Sequence, residues 1–198
     1  IAGGFKAAVP GTLLFMADGW IAAGYVFVWQ IGLFLSLGEN LLAYGGALAI
    51  ASLVGAISGL ILGRHIDAGH GRSAVWYAFG TISLIIVLRA LATGNAMAAV
   101  MANALGSLGG CLYIPTLMTA VYTQAKSSPC TLRFHVLAEA GWDIGGASGL
   151  LTAASLLALG APLWAGVLLS LAGVAAAAVM LRRYYAGRPA AALAIARP

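Results

Sequence analysis

Apolar residues fall into six runs, each long enough for a helix that crosses a bilayer, which takes about 20 residues. The runs predict spans over residues 10–36, 41–63, 74–93, 96–123, 134–159 and 163–181. Short polar breaks with turn chemistry separate them: Gly38-Glu39-Asn40, the charged end of the stretch 59–72, Gly94-Asn95, residues 124–133 and Gly160-Ala161-Pro162.

The polar positions inside the runs differ from one run to the next. In the first, Asp18, Ala22, Tyr25 and Trp29 recur at helical spacing and share one face. An acid within a span is costly and faces a bundle interior or a water-filled cavity, so this face reads as cavity-lining. The competing reading puts Trp29 in an interfacial aromatic belt and pairs Asp18 with a neighbouring helix. The second run carries a four-residue stripe of small side chains, Ala43, Ala47, Ala51, Gly55, Gly59 and Gly63, which predicts close helix packing. The third is plain except for Arg89, roughly 22 Å from its basic end. Arg89 reads as a side chain snorkelling to the outer interface, with a solute-binding cation as the alternative. The fourth holds Asn103, Gly106, Ser107, Gly109, Gly110 and Tyr113 ahead of Pro115, which predicts a kinked, polar helix. The fifth has a small stripe, Gly141, Gly145, Gly149 and Ala153, and nearly opposite it His135, Glu139 and Asp143. Asp18 and Asp143 lie at similar depth, roughly 12 and 14 Å into their runs. The sixth run has no buried charge and reads as peripheral and lipid-facing.

Composition agrees with the pattern. Hydrophobic residues make up 62% and charged residues 8%, against about 25% charged in soluble domains. The chain is expected to be an all-α integral membrane protein. One transmembrane domain would cover residues 1–183, and residues 184–198, rich in Ala, Arg and Pro, would form a disordered cytoplasmic tail. The first residue is Ile1 and no cleavable leader is evident, which suggests part of a longer or processed polypeptide.

The net charge of +5 does not point to nucleic acid, because of where the charges lie. Lys6, Arg64, Arg72, Lys126, Arg133, Arg182, Arg183, Arg188 and Arg197 fall on one side of the runs, and Glu39 with Arg89 on the other. This asymmetry predicts that both termini are cytoplasmic. Cys111 and Cys130 lie in or near the cytoplasmic half and are expected to be free thiols.

Gly146-Ala147-Ser148-Gly149 matches the Gly-x-Ser-Gly of intramembrane serine proteases, but no histidine follows Ser148 to act as its base. The segment therefore reads as helix packing. His135, Glu139 and Asp143 climb one helix and diverge from any single ion, so no metal or other cofactor is assigned.

The most specific motif is Gly63-Arg64-His65-Ile66-Asp67-Ala68-Gly69-His70-Gly71-Arg72, between the second and third runs. It resembles the signature loop of the major facilitator superfamily, with Gly63, Asp67, Gly71 and Arg72 standing for its parts. Two departures are visible: Ala68 replaces the basic residue that usually follows the acid, and the second glycine comes one position late. The copy is most similar to the loop of the C-terminal six-helix half of such transporters. The resemblance covers about ten residues as motif and the whole chain as architecture. It implies that the first and fourth helices line a central cavity, the second and fifth flank it, and the third and sixth are peripheral. Asp67 would accept hydrogen bonds from a helix N-terminus and pair with Arg64 or Arg72, latching the cytoplasmic side. A charged turn that only sets topology is the alternative.

The expected function is secondary transport of a small solute by alternating access, not enzyme catalysis. Its partners would be the lipid bilayer and an N-terminal six-helix half, in a bacterial inner membrane. Asp18, Tyr25, Asn103, Tyr113, Glu139 and Asp143 are the candidates for the solute or proton pathway, and Gly63, Arg64, Asp67, Gly71 and Arg72 for the gate. The alternative is a non-transporting six-helix scaffold, which would have no use for Asp18, Glu139 and Asp143 together.

Overall fold

The helices end where the turn residues predict. Gly38, Gly94 and Gly160 take φ of 66°, 84° and 89°, the left-handed conformation that closes a helix C-terminus at no Cβ cost. Asn40 Oδ1 then accepts from the Ala43 N–H and Asn95 Oδ1 from the Ala98 N–H, both at 3.0 Å. Each bond satisfies an amide that the first helical turn would otherwise leave open. Gly94 N also donates to Ser36 Oγ at 2.9 Å, tying two of these turns together at one end of the bundle.

The computed structural model describes residues 3–66 and 71–186, with side chains at 3–61 and 75–186. The described residues are all-helical, with no strand. The helices are α1 (Gly4–Ser36), α2 (Leu41–Ile66), α3 (Gly71–Ala92), α4 (Ala96–Lys126), α5 (Thr131–Ala158) and α6 (Leu163–Ala186). Five of them, all but α5, are long and apolar enough to cross a membrane. The 28 residues of α5 give length enough, but Arg133, His135, Glu139, Asp143 and its glycines lower its hydropathy. The last helix runs past the expected end at Leu181 to Ala186, and Tyr185 is buried.

Of the predicted gate, Asp67 lies outside the described residues, as does the expected tail from residue 187 onward. Gly63 and Arg64 belong to the end of α2 and Gly71 and Arg72 to the start of α3, with their side chains outside the described set.

Two of the rods are locally irregular. Residues Ala23–Val28 of α1 form a π-helical turn, and α6 is interrupted at Leu169. The irregularities face each other. Ser170 Oγ donates to Ile21 O and Trp20 Nε1 donates to Leu169 O, each at 2.9 Å. These bonds satisfy carbonyls next to the two breaks, as an apolar surrounding requires.

Glycine sets the closest packing. The most extensive contact in the molecule is between α1 and α5. A Cβ on Gly141 would meet the Thr12 carbonyl, one on Gly145 the Met16 carbonyl, and one on Gly149 would lie 2.7 Å from Ala23 Cβ. From the other side, a Cβ on Gly19 would meet the backbone of Trp142 and Gly146. The α5 stripe predicted from the sequence is thus a helix contact, and Gly146-Ala147-Ser148-Gly149 is part of it. The α2 stripe packs only in its middle. Ala47 and Ala51 are buried and Gly55 faces Ser107 of α4, but Ala43 is exposed and Gly59 has open space where a side chain would go.

The next most extensive contacts are α2 with α4, α3 with α4, α1 with α6 and α3 with α6. The third and sixth helices thus also pack against their neighbours within the bundle. Half of the Val75–Ala92 stretch of α3 is buried, against 17% for the Leu41–Ile61 stretch of α2. In α6, Gly166, Val167, Ser170, Gly173, Val174 and Ala177 are buried against α1 and α3. An apolar helix with small residues on one side reads the same from composition whether that side meets lipid or protein.

Candidate functional site: the seam between α1 and α4

The polar face of α1 meets the polar face of α4. The two helices run antiparallel here and are joined by three side-chain bonds. Tyr113 Oη donates to the Asp18 carboxylate. Tyr25 Oη donates to Gly106 O at 2.8 Å. Trp29 Nε1 donates to Asn103 Oδ1 at 3.0 Å, and Asn103 is 3% exposed. Asp18, Tyr25 and Trp29 were placed on one face from spacing alone, and all three contact α4. The seam therefore unites four of the predicted pathway residues: Asp18, Tyr25, Asn103 and Tyr113. Trp29 is fully buried, so it is a seam residue and not part of an interfacial belt.

At the Asp18 end, the Tyr113 ring stacks edge-on to Phe79 of α3 with centroids 5.3 Å apart, which holds the phenol against the acid. Trp142 and Glu139 of α5 are the other polar groups around Asp18. Glu139 is thus near the seam although exposed. Asp143 is exposed on α5 and is not among the groups around Asp18.

At the other end lies a residue that the sequence reading sent elsewhere. Arg89 does not snorkel outward. It is 5% exposed, and its Nη1 donates to Tyr25 O at 2.5 Å. Its guanidinium carbon sits 4.1 Å from the centre of the Tyr25 ring and 5.0 Å from that of Trp29. Gly106 makes this possible, because a Cβ there would fall on the guanidinium. Desolvated cation–π contacts of this kind contribute about 2 kcal/mol. That offsets part of the cost of a cation in the apolar interior, about 2.5–3.5 kcal/mol on insertion scales. Among the described residues no carboxylate pairs with Arg89, and its Nε has no hydrogen-bond partner.

The sequence held one sign of this arrangement. Tyr25 and Trp29 stand four residues apart, as two rings around one cation require, but nothing along the chain says that Arg89 is that cation.

Arg89 opens onto a cavity of about 240 Å³ between α1, α2 and α4, lined among others by Tyr25, Gln30, Ser52, Asn103 and Ser107. Tyr44 Oη donates to Gln30 Oε1 at 2.8 Å, which leaves the Gln30 amide N–H free to donate. A larger cavity, about 480 Å³, lies at the basic end of the bundle around Trp76, Arg182 and Tyr185. It is lined by none of the predicted pathway residues. The smaller cavity is the better candidate, because it collects buried polar groups from several helices.

The site thus holds an acid, Asp18 of α1, and a cation, Arg89 of α3, which meets α1 at Tyr25 about two helical turns from Asp18. Each is met by a tyrosine, and they do not meet each other. Among the described residues no cluster of three metal-ligating side chains occurs. Comparison of the chain with protein-family models, with curated proteins and with solved structures finds no match.

Proposed function

We propose that the chain is one half of a secondary transporter of the major facilitator type, moving a small solute along the α1–α4 seam by alternating access. In this reading α5 is a sixth span and the basic end of the bundle is cytoplasmic, with both termini there. The missing partner is a second six-helix half, set against α1, α2, α4 and α5.

The observation that carries the reading is a symmetry of packing. Exchanging α1, α2 and α3 with α4, α5 and α6 maps the most extensive contacts onto one another. The α1–α5 contact becomes α4–α2, α1–α6 becomes α4–α3, and α1–α4 and α3–α6 map onto themselves. Transporters built from inverted three-helix repeats have such an exchange, with their site at the repeat interface. Here that interface is the α1–α4 seam. Two further facts agree. The outer faces of α2 and α5 are the least covered by the bundle, and α5 exposes Glu139 and Asp143 there. Charges exposed to lipid at that depth are costly, so the face needs a partner or water. Asp18 is the candidate proton carrier, with Glu139 on the neighbouring α5; Tyr113 holds Asp18 in place.

A scaffold that assembles with other membrane proteins is the second reading, and the same exposed face favours it. Reconstitution of the full-length polypeptide into liposomes separates the two. A carrier exchanges labelled solute across the bilayer, and an imposed pH gradient drives accumulation. Sealed vesicles with neither exchange nor accumulation over a broad solute panel would reject the transport reading.

A further inference from the structure

The transport reading leaves the class of solute open. Arg89 narrows it. A guanidinium buried between helices without a counter-charge is unstable unless something supplies the missing negative charge. The protein supplies a carbonyl and two ring faces, all of them neutral. Among the described residues no acid is in reach, and Asp18 is two turns away and bonded to Tyr113.

The guanidinium also keeps donors that no described residue accepts from. Nη1 is taken by Tyr25 O, Nε has no partner, and Nη2 lies against Gly106 without a hydrogen bond to any described residue. Nε and Nη2 are the nitrogens nearest Gly106 and Nε is closed off, so a ligand in the cavity would meet the guanidinium through its charge, not through a two-point fork. The cavity that Arg89 lines has apolar wall at Val26, Leu48 and Ala51 and hydroxyls at Ser52 and Ser107. Its volume is below the 300–1,000 Å³ typical of drug-sized ligands, so it suits a small molecule.

We propose that Arg89 is the recognition cation for a small monocarboxylate, which docks in the cavity between α1, α2 and α4 that the guanidinium lines. A monoanion fits better than a phosphate group, whose charge near −2 would exceed the single cation available. Gln30 and the two serines would then meet polar atoms at the far end of the molecule. This assignment rests on the transport reading for its purpose, but binding itself does not require transport.

The experiment is a thermal-shift titration of the full-length chain in neutral detergent. The probes are acetate, propionate and benzoate, each against its neutral amide, with inorganic phosphate alongside. At least one acid should raise Tm with concentration, as a ligand that binds only the folded state does, and its amide should not. The shift should vanish in Arg89→Gln. Should that variant fail to fold, Ser52→Phe tests the same point. Ser52 lines the cavity and is exposed, so a large side chain there should fill the cavity without displacing Arg89. Equal shifts for acids and amides, a shift with phosphate alone, or a carboxylate shift that persists in the variants would overturn the proposal. Counterflow of labelled benzoate keeps the two readings apart. Carboxylate binding without flux would sink the transport reading and leave this one. Flux of a neutral or cationic solute without carboxylate binding would do the reverse.

Discussion

Gly106 and Arg89 share one volume: a side chain on the glycine would occupy the place of the guanidinium. The glycine of α4 therefore holds open the room in which a cation of α3 reaches the aromatic face of α1. Gly106→Ala should push Arg89 off its cation–π contacts and cost about 1–3 kcal/mol by overpacking. Gly110→Ala is the control, since nothing lies within 4 Å of its added Cβ. It should be neutral or gain up to about 1 kcal/mol of helix propensity. Unfolding of both variants in detergent checks this, and equal stability would mean that Arg89 has another place to go.

The two small stripes make opposite predictions. Gly145→Leu drives a side chain into the Met16 carbonyl and should separate α1 from α5, lowering yield and melting temperature sharply. Gly59→Leu enters open space and should melt like the parent when this bundle is studied without a partner. Loss of stability at Gly59 in the full-length protein alone would map that end of α2 to the interface with the second half.

Asp18 and Tyr113 should be energetically coupled. A double-mutant cycle with Asp18→Asn and Tyr113→Phe is expected to give about 1–2 kcal/mol, near the upper range for hydrogen bonds between membrane helices. In proteoliposomes Asp18→Asn should abolish accumulation driven by a pH gradient while retaining part of solute exchange. Full gradient-driven uptake in this variant would reduce Asp18 to a partner of Tyr113.

Asp143 reports on what covers α5. Asp143→Cys should react with a charged, membrane-impermeant thiol reagent if the face lines water, and solute should slow the reaction. A cysteine that reacts only with lipid-soluble reagents would mean that α5 meets lipid or a dry interface there.

Asp67→Asn keeps size and removes charge, so the fold should survive. If Asp67 latches the cytoplasmic side, cysteines introduced at that mouth should label faster in the variant. Unchanged labelling and unchanged transport would leave the loop as a topogenic turn.

Several features were legible along the chain for local reasons. Helix ends follow from Gly38, Gly94 and Gly160 and from the caps Asn40 and Asn95, because a left-handed turn and an N-cap depend on neighbouring residues alone. The α1 face of Asp18, Tyr25 and Trp29 follows from spacing along one helix, and the α5 glycine stripe likewise. Only the tertiary structure decided which faces meet. It turned Arg89 from the outer interface into the bundle, because the space for it comes from Gly106 and the rings from Tyr25 and Trp29, on two other helices. It buried one face of α6 against α1 and α3, and left Gly59 open where a stripe suggested contact. It also separated Asp143 from Asp18, since equal depth along two helices does not set their rotation about their own axes. Periodicity records which residues share a face; the partner of that face is a property of the whole bundle.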